Sequence, residues 1–462
     1  MISSIKSSML KGIKFLSRPS VEQKKKLHQW MGCSRFIWNA KCDEDFYLRS
    51  YCFKYLPIGT YPPIDQSYAQ YKTELSPWLS DCPSPILRNS CSNWFKTYQK
   101  FLKGECGRPR RKKKFSGNSI LLTKELFCLE QDEFKNWKLF VGAKKNNIGY
   151  LPLHFHTKEF AKPNSIRIRM ERGQFYVSFC YEDELDEKRL WDLEQYLDHF
   201  KNFSSEELDK ITLGVDRGIK VPVQAEDFSF DLSEQGKKKK REKEKYLKRC
   251  QRKLAKQTKG SKRREKTKKL ITKTAGKISD IRKNFCHQTS HSLVNSEAKI
   301  LVFEDLKIKN MTSSAKGTQE KPGKRVKAKA GLNRSILDQG WGMLENFLSY
   351  KCYRAEKAFF KISAYQTSQE CADCGHIHPE NRKTQKDFCC IVCGHTDNAD
   401  RNASIICKKR AIKLILNSGT ELSKRGVLIK KREDIGRGGE DVFVEKQKYH
   451  RRSVKNDSVL HA

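Results

Sequence analysis

The chain has 462 residues, and its 94 Lys and Arg outweigh 54 Asp and Glu to give a formal net charge of +40 at pH 7. With 37% apolar residues it can bury real cores, which excludes a disordered polyelectrolyte, and its length points to two to four domains. No run reaches the roughly 20 apolar residues of a membrane span, so the polyanion that such a charge calls for is nucleic acid rather than a lipid surface.

The N-terminal "MISSIKSSMLKGIKFLS" lacks both a sustained apolar core and a small-residue cleavage site. The expectation is a soluble cytoplasmic protein, nucleoid-associated when bound to DNA, with its 17 cysteines mostly reduced. From Lys11, "KGIKFLSRPSVEQKKKLHQWMGCSRFIWNA" predicts a short strand and then a helix started by Pro19-Ser20. Leu27, Trp30, Met31, Ser34, Ile37 and Trp38 follow near-helical spacing, and both tryptophans are assigned to packing. The helical character continues to about Phe101, interrupted by a Pro-rich loop at 57–63. "GECGRPRRKKKF" then combines turn residues with Arg108, Arg110, Arg111, Lys112, Lys113 and Lys114, which suits a loop gripping a phosphate backbone.

Residues 136–182 change period. In "NSIRIRMERGQFYVSFCYE", Ile166, Ile168 and Met170 share one face, as do Phe175, Val177, Phe179 and Tyr181, with "ERGQ" as the turn of a β-hairpin. "KLFVGAK" and "GYLPLHFH" extend it into a small β-domain, and the polar stretch to Lys210 predicts a linker with a helix. "ITLGVDRGIKVPVQA" predicts a buried strand, a tight turn at Gly218 and a second strand. A basic helical pair follows, with Leu247, Leu254, Ile271, Ile278, Ile281 and Phe285 as an apolar seam inside a solvated face. "AKILVFEDLKI" predicts another buried strand, 312–332 a basic loop, "LDQGWGMLENFLSYKCYRAE" an amphipathic helix and "FKISAYQTSQ" a further strand. A last helix is expected from about Asn402, then a mobile tail from 417.

Cys371-x-x-Cys374 and Cys390-x-x-Cys393 lie 15 residues apart, with Gly375 and Gly394 after each pair, which is the spacing of a four-cysteine Zn2+ site. Four thiolates close the coordination sphere, so this zinc is structural. Cys389 is expected to be a packed thiol, and His376, His378 and His395 bystanders.

Three acids stand where burial is costly. Asp216 follows the apolar "ITLGV", Glu304 ends "KILVFE", and Asp400 precedes a helix. Each has a plain alternative: a turn with Arg217-Gly218, a lysine ion pair, and an N-cap for a helix from Arg401. Asp397 and Asp305 have only such alternatives. Together the three meet the need of two-metal phosphodiester hydrolysis for carboxylates on a rigid frame, holding Mg2+ ions roughly 4 Å apart. Strand Asp, later strand Glu and later helix Asp is the order of a ribonuclease-H-like sheet.

"GVDRG", "VFEDL", "YQTSQECADCGH", "FCCIVCGH" and "ADRNAS", in this order, resemble the TnpB (OrfB) proteins of insertion sequences, RNA-guided nucleases related to type V CRISPR effectors. "RFIWN", "GRPRRKKKF" and "LNRSILDQGWGMLENFLSYKC" are similar to family segments, and the resemblance spans roughly 11–415. One departure is Asn402-Ala403-Ser404-Ile405-Ile406 where the family often continues Asn-Ala-Ala-x-Asn-Ile; it lies outside the acids.

The resemblance implies an α/β fold with added α and β modules: a RuvC, ribonuclease-H-like nuclease domain with an inserted four-cysteine zinc ribbon. The implied layout is wedge strands at 1–27, a helical recognition region at 28–103, a barrel-like wedge domain at 104–185 and a linker at 186–210. The nuclease with its basic hairpin follows at 211–366, the ribbon at 367–396, the final RuvC segment at 397–416 and the tail at 417–462. It also implies Asp216, Glu304 and Asp400 as Mg2+-binding catalytic acids, guide RNA and target DNA as partners, and Arg217 beside the scissile strand. A catalytically silent guide-dependent DNA-binding regulator and a strand-joining transposase are the alternatives.

Overall fold

The computed structural model describes residues 10–57, 60, 64–114, 118–157, 160–182, 191–384 and 386–430. Strand β1 (Leu10–Ser17) leads into helix α1 (Val21–Tyr55), and α2 (Ser84–Leu102) follows. The next strands are β2 (Ser119–Thr123), β3 (Phe127–Gln131), β4 (Trp137–Gly142), β5 (Asn147–Leu151), β6 (Leu153–His154), β7 (Ser165–Glu171) and β8 (Gln174–Glu182). Helices α3 (Leu193–Phe200) and α4 (Ser205–Ile211) precede β9 (Thr212–Val215), β10 (Val223–Ala225) and β11 (Phe228–Phe230). The long helices α5 (Glu234–Ala255) and α6 (Lys262–Val294) come before β12 (Ile300–Glu304), then α7 (Ile308–Met311), α8 (Val326–Gln339), α9 (Trp341–Arg354) and β13 (Ala358–Ile362). The chain continues with β14 (Asp387–Cys389), β15 (Thr396–Asn398), α10 (Ala399–Ile415), β16 (Thr420–Leu422) and β17 (Leu428–Lys430).

These elements fold as two compact units, one from residues up to 190 with Leu232–Phe285, the other from Trp191–Asp231 with residues from 286 on. In the first, α1 starts where Pro19-Ser20 predicts it. The Ser20 Oγ accepts from the Gln23 amide at 3.2 Å while the Ser20 amide donates back to Gln23 Oε1 at 2.9 Å, a complete capping box. The β7–β8 hairpin turns on Arg172 and Gly173, both at positive φ as a two-residue turn of this twist requires. Its register sets Ile166 against Phe179 and Ile168 against Val177, and all four are buried. The main sheet runs β2-β7-β8-β1-β6, so β1 completes it from over 150 residues away, while β3-β4-β5 form a separate antiparallel sheet. Phe15, Leu27, Trp30 and Ile37 pack with these strands in one core. In the basic pair α5–α6, Ile278 and Phe285 of the expected seam are buried. Leu232–Phe285 belongs to this unit, and residues 286–294 at the end of α6 belong to the other.

The second unit is built on three parallel strands in the order β13-β12-β9. All five residues of β12 are buried, as expected of a central parallel strand covered on both faces. α10 packs on this sheet through Cys407, Ala411, Ile412 and Ile415, joined by Tyr196, Leu197 and Phe200 of α3. The expected linker is therefore folded from Leu193. α3 and α4 each carry a capping box, Asp192 with Gln195 and Ser204 with Glu207, and their apolar faces close the core. The tail needs the same correction up to residue 430. β16 and β17 pair, Val427 bridges Lys361 beside β13, and Leu428 is buried. The three-residue apolar run Val427-Leu428-Ile429 is too short to show a period, and the rest of the expected tail lies outside the described residues.

Candidate active site

The sheet register decides where the acids go. Phe303 on β12 aligns with Val215 on β9, so Glu304 and Asp216 leave the carboxyl ends of adjacent parallel strands side by side. That edge is where open parallel sheets bind ligands. Asp216 is fixed by backbone bonds in both directions with Gln224, at 2.8 and 3.0 Å. Asp400 comes from the first turn of α10, which lies directly on β9: a Cβ added to Gly214 would sit 2.0 Å from the Ser404 carbonyl and 2.6 Å from the Lys408 amide. Only a glycine strand position allows this approach. The cap of α10 is Asn398, whose Oδ1 accepts from the Asp400 and Arg401 amides at 2.9 and 3.2 Å. The helix thus starts at Ala399, earlier than expected, and the Asp400 carboxylate does not serve as its cap.

The electrostatics follow from crowding and burial. Burial first, then repulsion from Glu304 and Asp400, pushes the Asp216 carboxyl up to about 7. Burial raises Glu304, which is 7% exposed, against the opposing hydrogen bond from Thr367. Burial also raises Asp400, opposed by Arg382 and Lys220. Cys407 beneath them is held as a neutral thiol by burial and by the charges of Glu304 and Asp216. Glu304 and Asp400 are near enough to Asp216 for their charges to repel it. Three carboxylates raised by burial, with Asp216 also repelled by the other two, form the hard-oxygen set that suits Mg2+, so the residues present fit that ion.

The four ribbon cysteines converge as expected. Their Sγ atoms all lie within 4.8 Å of one another, with Cys371–Cys393 and Cys374–Cys390 at 3.6 Å. Each pair makes the same knuckle. The Gly375 amide donates to the Cys371 carbonyl at 3.0 Å and the Gly394 amide to the Cys390 carbonyl at 3.1 Å, with both glycines at positive φ. Four sulfurs in this arrangement fit tetrahedral zinc.

The basic residues divide. Arg108 pairs with Asp45 and Arg111 with Asp43, while Lys112 lies 3.5 Å over the Trp38 ring and is pushed down to about 8 by burial and by Arg167. Arg110, Lys113 and Lys114 are exposed. The Arg108–Lys114 loop is thus docked on α1, with Asn39 bonded both ways to the Lys112 backbone at 2.7 and 3.1 Å. Arg217 corrects an expectation. It is 4% exposed, donates to the Glu304 carbonyl, pairs with Glu345 at 3.5 Å and lies 4.7 Å over Phe303, so it braces the site from within and has no face for a nucleic-acid strand.

Sequence reasoning missed Arg382. It lies between the two cysteine pairs, and its guanidinium reaches Asp400 Oδ1 at 3.5 Å and opposes the pKa rise of all three acids. No period or motif marks it, because it follows a single helical turn in a loop. Thr367 and Asn402, both buried, lie inside the segments "YQTSQECADCGH" and "ADRNAS" but received no role, because the partners that define them lie across tertiary contacts. Asp397 and Asp305 pair with Arg401 and Arg425, in keeping with the plain readings given to them.

Three family models match the chain: residues 9–41 a "Helix-turn-helix domain" of OrfB proteins, 179–315 the OrfB "Probable transposase" model, and 341–407 the "Cas12f1-like, TNB domain". The described part of the first match is a strand and the start of one helix. "Putative RNA-guided DNA endonuclease InsQ" of Escherichia coli (strain K12) is 29% identical over 86% of this chain and 90% of its own length. A "Putative RNA-guided DNA endonuclease" of Streptomyces pristinaespiralis is 23% identical over 85% of this chain and 87% of its own. Among solved structures, a Cas12f1–sgRNA–target DNA complex matches in fold, with a TM-score of 0.52 and 12% identity over 87% of this chain and 99% of that one. With these models matched in order from the N-terminal strand to α10, the chain is similar to the OrfB (TnpB) proteins of insertion sequences.

Proposed function

We propose that this protein is an RNA-guided DNA endonuclease that cuts DNA by metal-dependent hydrolysis at a RuvC-like, ribonuclease-H-like site. The observation that carries this reading is the meeting of Asp216, Glu304 and Asp400 at the carboxyl edge of one parallel sheet, each with its carboxyl pKa raised. Perturbed acids gathered at such an edge mark a site built for chemistry. The two curated relatives, each named "Putative RNA-guided DNA endonuclease", and the +40 charge support nucleic acid as partner and substrate.

In this reading Asp216, Glu304 and Asp400 hold Mg2+, which when bound supplies activated water and charge stabilisation at the leaving 3′ oxygen. Gln224 fixes the Asp216 backbone and Arg217 braces the Glu304 carbonyl, so the acids meet the substrate already placed. Arg382 and Lys220 offer positive charge beside Asp400, where a scissile phosphate would otherwise be repelled. The zinc ribbon has no open position and acts as scaffold.

The test uses full-length protein purified with its bound RNA. Asp216→Asn, Glu304→Gln and Asp400→Asn are each expected to abolish Mg2+-dependent cleavage of a matched target while target binding persists. Cleavage by Asp400→Asn at the parental rate would refute the assignment. Joined strands made by the parent protein would favour a transposase, and absent cleavage with intact binding a regulator.

A further inference from the structure

Two buried polar side chains tie the zinc ribbon to the acids. Thr367, 3% exposed, lies between β13 and Cys371, and its hydroxyl donates to Glu304 Oε1. Asn402 is fully buried, two residues beyond Asp400 on α10. Its Oδ1 accepts from the Ala372 amide at 2.9 Å and its Nδ2 donates to the Glu370 carbonyl at 2.8 Å, so one side chain grips the backbone on both sides of Cys371. Arg410, further along the same helix, pairs with the Glu370 carboxylate and donates to the Tyr365 carbonyl at 2.7 Å, while Lys409 donates to the Ala372 carbonyl. Residues 365–372 are therefore stitched to the helix that carries Asp400 at one end and hold Glu304 through Thr367 in the middle.

A closed four-thiolate knuckle needs none of these bonds to bind zinc. A carboxylate in a cation site does need an outer partner, because the oxygen that faces away from the ion has to be satisfied and the ring of ligands oriented. Thr367 supplies that bond to Glu304, and Asn402 sets where the segment bearing Thr367 lies relative to Asp400.

We propose that Thr367 and Asn402 are positioning residues through which the zinc knuckle sets the geometry of the catalytic acids and hence their affinity for the divalent ion. The inference rests on the reading of Asp216, Glu304 and Asp400 as a cation site. Its consequence is that the ribbon's metal and the active-site metal are coupled: the frame that zinc folds is the frame that orders Glu304 against Asp400.

The experiment is Mn2+ binding to the full-length, zinc-loaded protein, read by electron paramagnetic resonance of free Mn2+, with zinc content and melting temperature measured in parallel. Thr367→Val, which keeps the shape and removes the hydroxyl, is expected to weaken Mn2+ binding roughly 10-fold or more, the usual cost of losing such a partner, with zinc fully retained. Thr367→Ser restores it. Asn402→Asp, which keeps the acceptor and removes the donor, weakens Mn2+ binding with zinc still bound. Unchanged Mn2+ affinity in Thr367→Val overturns the proposal, as does equal weakening by Thr367→Ser, which would assign the effect to packing of the side chain rather than to its hydroxyl. Glu304→Gln separates the two levels: if it too leaves Mn2+ binding unchanged, the cation site itself is misassigned. If Glu304→Gln abolishes binding and Thr367→Val does not alter it, the site stands and only the positioning role falls.

Discussion

Asp216 has a carboxyl raised to about 7 by burial and by its two acidic neighbours, against an ordinary value near 3.8. The sign of its effect on stability follows directly. The fold favours the neutral acid, so the stabilisation it gives is complete below the unfolded value and is lost as pH rises through about 7. In Mg2+-free buffer, Asp216→Asn is therefore expected to melt higher than the parent at pH 8.5, by roughly 2–4 °C for each kcal/mol of relieved repulsion, with the gain shrinking towards pH 5.5. Thermal melts at the two pH values check this, and an equal gain at both would remove burial and repulsion as the cause. Arg382 provides the opposite charge. Arg382→Ala is expected to slow cleavage on the order of 10²-fold, the cost typical of losing one preorganised charge-stabilising group, with target affinity nearly unchanged and partial recovery in Arg382→Lys. Single-turnover cleavage at saturating Mg2+ measures it.

At the scale of elements, the packing of α10 on β9 decides whether three acids from three segments form one site. Gly214 makes that approach possible, because any Cβ there would overlap the α10 backbone. Gly214→Ala is expected to push α10 outward, destabilise the fold by about 1–3 kcal/mol and, by displacing Asp400, lower cleavage on the order of 10²-fold. Melting temperature and cleavage rate of the one variant check both effects, and parental cleavage would show that the helix does not set the acid geometry. The acids were legible in the sequence because a carboxylate ending an apolar run is an anomaly in plain view, and the cysteines because their spacing is the geometry. Arg217, Arg382 and Thr367 were not legible in their roles, since each is defined by what lies across a tertiary contact. The pairing of β1 with β8 and the placement of the β16–β17 hairpin beside β13 escaped for the same reason: strand partners distant in sequence leave no local period.

The whole molecule carries its excess charge unevenly. Acids such as Asp43, Asp45, Glu171 and Asp280 are matched by ion pairs, whereas α5 presents Lys238, Lys239, Arg241, Lys245, Lys248 and Arg249 to solvent. A helix this basic gains little from internal packing, since Cys250 is the one buried residue described on it, so a phosphate backbone is the natural counter-charge. If several phosphates are neutralised on binding, affinity for the co-purified RNA falls about 10³–10⁵-fold between 50 and 200 mM salt. Replacing the six α5 residues with Gln then flattens the log–log salt slope by roughly 0.7–0.9 for each phosphate no longer neutralised, and leaves single-turnover cleavage at saturating RNA and Mg2+ unchanged because the acids lie in the other unit. Filter binding across a salt series measures the slope. An unaltered slope in the six-fold variant would show that α5 is a solvated face and that the phosphate grip lies elsewhere, with the exposed Arg110, Lys113 and Lys114 as the next residues to neutralise.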